Sequence, residues 1–445
     1  MRLLIRGGRL LDPASHLDGE LDLLLEDGLI KARRHDLDAD GAEVIDARGM
    51  LVTPGFVDLH CHLREPGEEH KETIASGAAA AARGGFTTIC AMPNTHPPTD
   101  SRGLVEALLE RGEATTVRVL PIGAVTRALE GKDLADLADM AEAGAVAFSD
   151  DGRPIWDAAV MRRALEYGLI TGRAVSDHCE DLALSAGGVM NEGWVSARLG
   201  LAGIPTAAEE AAVARDIQLC ELTGGRLHIA HVSTRGSVEL VRRAKERGLP
   251  VSAEVTPHHL VLVDEAVMGG VEAMGEALAY DTNARVNPPL RSRADVEACV
   301  EGLRDGVIDC IATDHAPHAE EDKLCEFDHA ANGISGFETA FALCNSLVAS
   351  GWAPIETLVE RMTSGAARAF ALDERFPGLG TLADGAPADV TIIDLGETWV
   401  VDRAAFASRG RNTPLAGQTL TGRVKATIGG GKIAWSELRQ EVPVG

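Results

Sequence analysis

The chain has no long run of apolar residues. Its longest apolar stretches are Ala-rich and broken by Arg and Gly, which excludes a membrane-spanning helix. Positive charge is scarce too. Lys and Arg number 42 against 68 Asp and Glu, a formal charge of −26, so the surface repels nucleic acid and anionic membranes. The eight cysteines lack paired spacing, and a chain of this size needs no covalent staples, so reduced thiols and a cytoplasmic location are expected. The N-terminal stretch MRLLIRGGRLLDPASHLDG lacks the continuous apolar core and small-residue cleavage site of a secretory signal and reads as folded sequence. Repeats and low-complexity tracts are also missing.

What is there has a clear rhythm. A chain of 445 residues is too long for one ordinary core, so a large domain with a smaller companion is expected. From Pro54 to Arg375, helical stretches alternate with eight β-rich segments, each ending in polar or Gly-rich residues: GFVDLHCH, FTTICAMPN, VRVLPIGAV, GAVAFSDDG, LITGRAVSDHC, RLHIAHVS, PVSAEVTPH and VIDCIATDHAPH. Such alternation marks a parallel α/β fold, and eight is the number of a (β/α)8 TIM barrel, here expected over 54–375. Thr206 with Glu209, and Ser237, are expected to cap two of the helices between them. Residues 1–53 and 376–445 carry short strands (LLIRGG, LDLLLEDG, ADVTIIDL, RVKATIGGGKIAW) and little helix. Neither end has enough apolar surface for a core alone, so both are expected to build one β-rich, sandwich-like domain.

The residues that carry chemistry sit where barrel strands end. His60 and His62 are two apart on the first strand, so their imidazoles leave the same face. His178 ends strand five, His231 strand six and Asp314 strand eight. Barrel active sites are built from these C-terminal strand ends, and four His with one Asp converging there are hard to explain by packing, since buried polar groups need partners. Asp150 and Asp151 at the end of strand four offer a bridging carboxylate; on the residues alone the two are nearly even. Imidazole and carboxylate ligands without a thiolate cluster suit zinc, and a metal pair activates water and polarises a carbonyl, which points to amide hydrolysis.

At this point the sequence resembles the amidohydrolase superfamily, and more closely the dihydroorotases of the long bacterial type. The marks are DLHCHLREPG (Asp58 to Gly67) followed by HKET, AMPNT, FSDDG, HCED, HVST, TPHHL, NPPLR, ATDHAPH followed by Lys323, and the tail GLGTLADGAPADVTIID. They span nearly the whole barrel. The resemblance implies two zinc ions bridged by Asp151 and held by His60, His62, His178, His231 and Asp314. Many related enzymes use a carbamylated lysine as the bridge, but between Lys132 and Lys245 this chain has no lysine. The implied reaction is reversible hydrolysis of the cyclic amide of L-dihydroorotate to N-carbamoyl-L-aspartate by metal-activated water, a pyrimidine-biosynthetic step, with Asp314 as acid/base.

The same resemblance places His62, Arg64, Asn94, Asn287, His318, Asn332 and Gly333 at the substrate, with Arg64, Asn94 and His318 on its carboxylate. The sequence departs from the family at one point: Ala331-Asn332-Gly333 stands where Pro-Phe-Gly is frequent. His258, His259, His315 and His329 are expected to be structural. The expected partner is a small molecule. A homo-oligomer is anticipated, and a complex with aspartate carbamoyltransferase is compatible with an active member. The alternatives are a hydantoinase or allantoinase, disfavoured by Arg64 and the missing lysine, and a non-catalytic scaffold of aspartate carbamoyltransferase, which would have lost metal-binding histidines.

Overall fold

The computed structural model describes residues 2–269, 279–438 and 440–441. Among them, eight strands run parallel in one sheet and neighbour one another in chain order: Phe56–Cys61, Phe86–Ala91, Arg118–Gly123, Ala147–Ser149, Val175–Asp177, Leu227–Ile229, Val251–Val255 and Cys310–Ile311. A bridge from Cys61 to His315, with the His62 amide donating to the His315 carbonyl at 2.8 Å, brings the last strand back to the first. The sheet is therefore wrapped into the expected barrel. Its strands read as apolar runs because both faces are covered; every residue of Phe56–Cys61 and of Phe86–Ala91 is buried.

Two local expectations need correction. The segment beginning at Leu169 is not strand throughout: helix Ala158–Thr171 continues through it, Gly172 ends that helix at φ 67°, and the strand covers only Val175–Asp177. Leu169 and Ile170 are exposed at the helix end, so their apolar character signals no buried strand. The caps also differ. Helix Thr206–Thr223 starts after Pro205 with no side-chain cap, because the Glu209 carboxylate is drawn to the amides of Ser233 and Thr234 at 3.0 and 3.1 Å. Helix Arg235–Glu246 is capped by Thr234, whose hydroxyl accepts from the Ser237 amide at 3.2 Å. Ser237 is thus the receiving residue and not the cap.

The two ends of the chain meet in a second, nine-stranded sheet. Its main path runs Lys432–Ser436, Thr419–Gly429, Val390–Val400, Leu51–Pro54, Arg2–Asp12, Leu17–Glu26 and Leu29–Arg34. Val390 to Ile393 pair antiparallel with Pro54 to Leu51, which stitches the C-terminal strands to the N-terminal ones. One apolar cluster holds Leu3, Ile5, Leu23 and Val52 from one end with Val390, Ile392 and Ile428 from the other, so the halves share a core that neither could build alone. The first strand passes through Gly7 and Gly8 by a bulge. Gly7 sits at φ 68°, and its amide donates to the Asp22 carboxylate at 2.8 Å. Met1 and residues 442–445, the extremities of the expected β-rich domain, lie outside the described residues.

Candidate metal centre

At the C-terminal ends of the barrel strands, six side chains from five strands converge, with Asp151 in their midst. Its Oδ1 lies 3.3 Å from His60 Nε2, 3.7 Å from His178 Nδ1 and 3.4 Å from His231 Nε2, and its Oδ2 lies 3.5 Å from His62 Nε2. Asp314 Oδ1 stands 3.0 Å from His62 Nε2 and 3.6 Å from His60 Nε2. All six predicted ligand side chains are therefore brought together, and they include two trios that share Asp151: His60, His62 and Asp151, and Asp151, His178 and His231. Asp150 points elsewhere. Its carboxylate accepts from the amides of Val125 and Thr126 at 2.8 and 3.0 Å and from the Thr126 hydroxyl.

The residues fit a bound cation on three counts. First, His60 Nε2, Asp151 Oδ1 and His231 Nδ1 are buried without a hydrogen-bond partner among the described residues; Nε2 and Oδ1 face the centre, where a ligand would satisfy them. Second, ligand atoms about 2.0–2.2 Å from one tetrahedral zinc lie about 3.3 Å apart, close to the spacings found here. Third, the local field favours positive charge. Burial opposes protonation of His178, yet hydrogen bonds and charge from Asp151 and Glu180 push it up to about 10. Burial likewise works against ionisation of Asp151, but the imidazoles of His60, His178 and His231 outweigh it and hold the carboxyl well below its ordinary range. Asp177, Cys179 and Asp216 form another compact group. There the Arg215 guanidinium already reaches Asp216 at 2.7 Å and Asp177 at 3.5 Å, so the cation is the protein's own.

Carboxylates to which the sequence reading gave no role set the imidazoles. His60 Nδ1 lies 2.7 Å from Glu254 Oε1, and His178 Nε2 lies 3.0 Å from Glu180 Oε2. A carboxylate only accepts, so each of these nitrogens carries the proton and the opposite nitrogen faces the centre, His60 Nε2 without a partner among the described residues and His178 Nδ1 at 2.9 Å from His231 Nε2. Both partners leave a signal in the sequence. Glu254 is the one charged residue in the strand Val251–Val255, and Glu180 follows His178 by two residues. His62 is oriented by Asn94, whose Oδ1 is 2.9 Å from His62 Nδ1 and whose amide donates to the Asp151 carbonyl at 3.4 Å. Asn287 similarly donates to Glu180 at 3.0 Å beside His178. Two residues expected on the substrate thus also support the cluster. Three residues of the site, Arg64 beside the cluster and His231 and Asp314 within it, adopt left-handed backbone at φ 60°, 33° and 45°, a conformation that costs non-glycine residues about 1–3 kcal/mol and gathers at functional sites.

Arg64 is buried beside the cluster. Its Nε donates to the Pro317 carbonyl at 3.2 Å and an Nη lies 3.3 Å from His318 Nε2, while no carboxylate is within ion-pair distance of it among the described residues. His318 Nε2 donates to the Asn332 carbonyl at 2.8 Å; burial, with Arg64 and Lys323 nearby, pushes this imidazole down to about 2 and keeps it neutral. Lys323 donates to the carbonyls of Thr282, Arg285 and Ala331 at 3.0, 3.3 and 2.6 Å, pinning the loop that carries Asn332 and Gly333. Gly333 has φ 145°; a Cβ there would lie 2.6 Å from both Ala316 Cβ and the Ala316 carbonyl oxygen. Its amide donates to the Arg285 carbonyl and its own carbonyl accepts from Asn412, both at 2.9 Å, so both backbone groups of Gly333 are engaged within the protein. Gly333→Ala is expected to lower stability by about 1–3 kcal/mol and, by displacing Asn332 and His318, to raise KM more than it lowers kcat; thermal unfolding and steady-state kinetics check this.

The other histidines take no part in the cluster. His259 spans the Thr256 hydroxyl and the Pro288 carbonyl at 2.8 and 3.0 Å. His315 spans Glu72 and the Gly336 amide at 3.3 and 3.1 Å. Burial holds His258 well below its ordinary pKa, and His329 is exposed.

A family model for dihydro-orotase-like proteins matches residues 49–237. A protein named dihydroorotase from Syntrophus aciditrophicus (strain SB) is 51% identical over 440 residues, covering 98% of this chain and 100% of its own. Another of that name from Anaeromyxobacter sp. (strain K) is 52% identical over 438 residues, 98% of each chain. Among solved structures, the L-hydantoinase (dihydropyrimidinase) from Arthrobacter aurescens superposes with a TM-score of 0.84 at 28% identity, covering 99% of this chain and 97% of that one.

Proposed function

The chain belongs to the dihydroorotase family, and from that premise we propose that its His/Asp cluster holds two zinc ions bridged by Asp151 and hydrolyses the ring amide of L-dihydroorotate, reversibly, to N-carbamoyl-L-aspartate. The observation that carries the substrate assignment is Arg64: a buried guanidinium without a carboxylate partner among the described residues, beside the cluster. A buried charge is costly unless a counter-charge reaches it. The ring carboxylate of dihydroorotate brings one, in the bidentate geometry that guanidinium prefers. The neutral His318 next to it carries no charge of its own to compete for the anion.

His60, His62, Asp151 and Asp314 would hold one ion, and Asp151, His178 and His231 the other. Zinc bound there supplies Lewis acidity, which polarises an amide carbonyl and makes water acidic enough to furnish a nucleophile near neutral pH. The proton is the task of Asp314. Burial disfavours its ionised form, but the His62 hydrogen bond and the imidazoles of His60, His62 and His231 overcome this and hold the carboxyl well below the ordinary range. An ionised Asp314 takes the proton of the attacking water and delivers it to the leaving ring nitrogen. In the reverse direction it removes the proton from the carbamoyl nitrogen as the ring closes. We place the reaction in the cytoplasm, a reading supported by eight cysteines that are all unpaired, seven of them buried; among the described residues no helix is long and apolar enough to cross a membrane.

The test of the substrate reading is Arg64→Lys beside Arg64→Ala. Hydrogen bonds to charged groups contribute about 1.5–3 kcal/mol, so kcat/KM for dihydroorotate is expected to fall about 10- to 100-fold in the alanine variant, through KM. Lysine should restore part of this, as a point charge without the fork. Turnover of 5,6-dihydrouracil, which lacks the carboxylate, should change little. An equal fall for both rings would contradict the assignment.

A further inference from the structure

Glu254 is neither a metal ligand nor a substrate contact, yet it is completely buried and both of its oxygens are occupied. It projects from the seventh barrel strand to His60 on the first: Oε1 faces His60 Nδ1 at 2.7 Å and accepts more weakly from the His231 amide at 3.4 Å. Oε2 faces His228 Nε2 at 3.1 Å. His228, also completely buried, reaches Ser252 Oγ at 2.8 Å through Nδ1, and its ring is packed edge-on against Phe370 with centroids 4.8 Å apart. The arrangement is a chain, Ser252 to His228 to Glu254 to His60, that ends at the cluster.

We propose that Glu254 is a positioning residue that locks His60 in the one tautomer able to bind a metal ion, and that His228 and Ser252 hold Glu254 in place for that task. This rests on the reading of the cluster as a two-metal site. The carboxylate offers only acceptors, so His60 keeps its proton on Nδ1 and presents the lone pair of Nε2. That nitrogen has no hydrogen-bond partner among the described residues and lies 3.3 Å from Asp151 Oδ1. His60 belongs to one trio only. The neighbouring ligands are oriented independently, His62 by Asn94 and His178 by Glu180. The weaker bond from the His231 amide involves the His231 backbone and not its ligating ring, so Glu254 sets the tautomer of a ligand of one ion and of none of the other, a selectivity that a general contribution to barrel stability would not produce.

The experiment is a zinc-release titration on the holoenzyme with a chromophoric chelator, for the wild type, Glu254→Gln and Glu254→Met, alongside thermal unfolding of each metal-free protein. Loss of a residue that orients a metal ligand typically weakens binding about 10- to 100-fold. The wild type should release two equivalents of zinc. In Glu254→Met one equivalent should leave at about 10- to 100-fold lower chelator concentration while the second keeps its wild-type affinity. Glu254→Gln retains the shape and one acceptor oxygen, so it should show a smaller shift of the same single equivalent. Unchanged release of both equivalents would overturn the proposal, and so would parallel weakening of both in the isosteric Gln variant. A wild type that binds fewer than two equivalents would instead overturn the two-metal reading beneath it.

Discussion

Asp314→Asn is expected to lower kcat for dihydroorotate by about 10²- to 10⁴-fold, the range one acid–base group supplies, while the protein retains most of its zinc. The carboxylate stands at the edge of the cluster, touching His62 and His60 at 3.0 and 3.6 Å, whereas Asp151 touches all four histidines. Asparagine is nearly isosteric and keeps one oxygen toward the centre, so metal loss should be minor. What it removes is a proton acceptor. The measurement is kcat and zinc content on the same preparation. A variant with normal kcat would remove Asp314 from the proton-transfer role, and one that loses both zinc ions would make its role structural.

The same substitution at Asp151 should behave differently. Its Oδ1 is shared by His60, His178 and His231 and its Oδ2 faces His62, so a neutral amide removes the only anion common to both trios and turns an NH2 donor toward nitrogens that must accept. Asp151→Asn is expected to lose both metal ions together and to lower turnover by more than about 10⁴-fold, beyond what one acid–base group accounts for. Retention of two zinc ions with substantial activity would contradict the bridging role. Carried out in parallel, the two substitutions separate a residue that moves a proton from one that assembles the site.

Much of this arrangement is legible in the amino-acid sequence. The spacing of His60 and His62 is a strand signal with one geometric meaning, and His178, His231 and Asp314 are marked by their position at strand ends in a parallel barrel. The choice between Asp150 and Asp151 is not legible from the residues themselves. It is decided by amides of Val125 and Thr126, 25 and 24 residues earlier, which meet Asp150 only once the two neighbouring strands pair. The cap expected at Thr206 fails for a similar reason: Glu209 satisfies a local motif, but tertiary packing presents it with two better donors at Ser233 and Thr234.

The orienting residues are harder to read. Glu254 stands out as a charge inside an apolar strand, but its partner His60 is 194 positions away, and only barrel closure joins them. Asn94 and Asn287 carry a substrate role through family resemblance, while the structure places their side chains on His62 and on Glu180 beside His178. These contacts and a substrate contact are compatible, because an amide has both donors and acceptors. Arg64, expected on the substrate carboxylate, is a guanidinium two residues beyond the histidine pair, buried, and lacking a carboxylate within ion-pair distance among the described residues.

The most direct test is reconstitution. Metal-free protein is titrated with zinc while zinc content and hydrolysis of L-dihydroorotate are followed together, with hydantoin and allantoin as comparison substrates. No turnover is expected without metal, with activity rising to a plateau as two equivalents bind and a strong preference for dihydroorotate. A fully zinc-loaded protein that leaves dihydroorotate intact, or that prefers hydantoin, would contradict the proposed function.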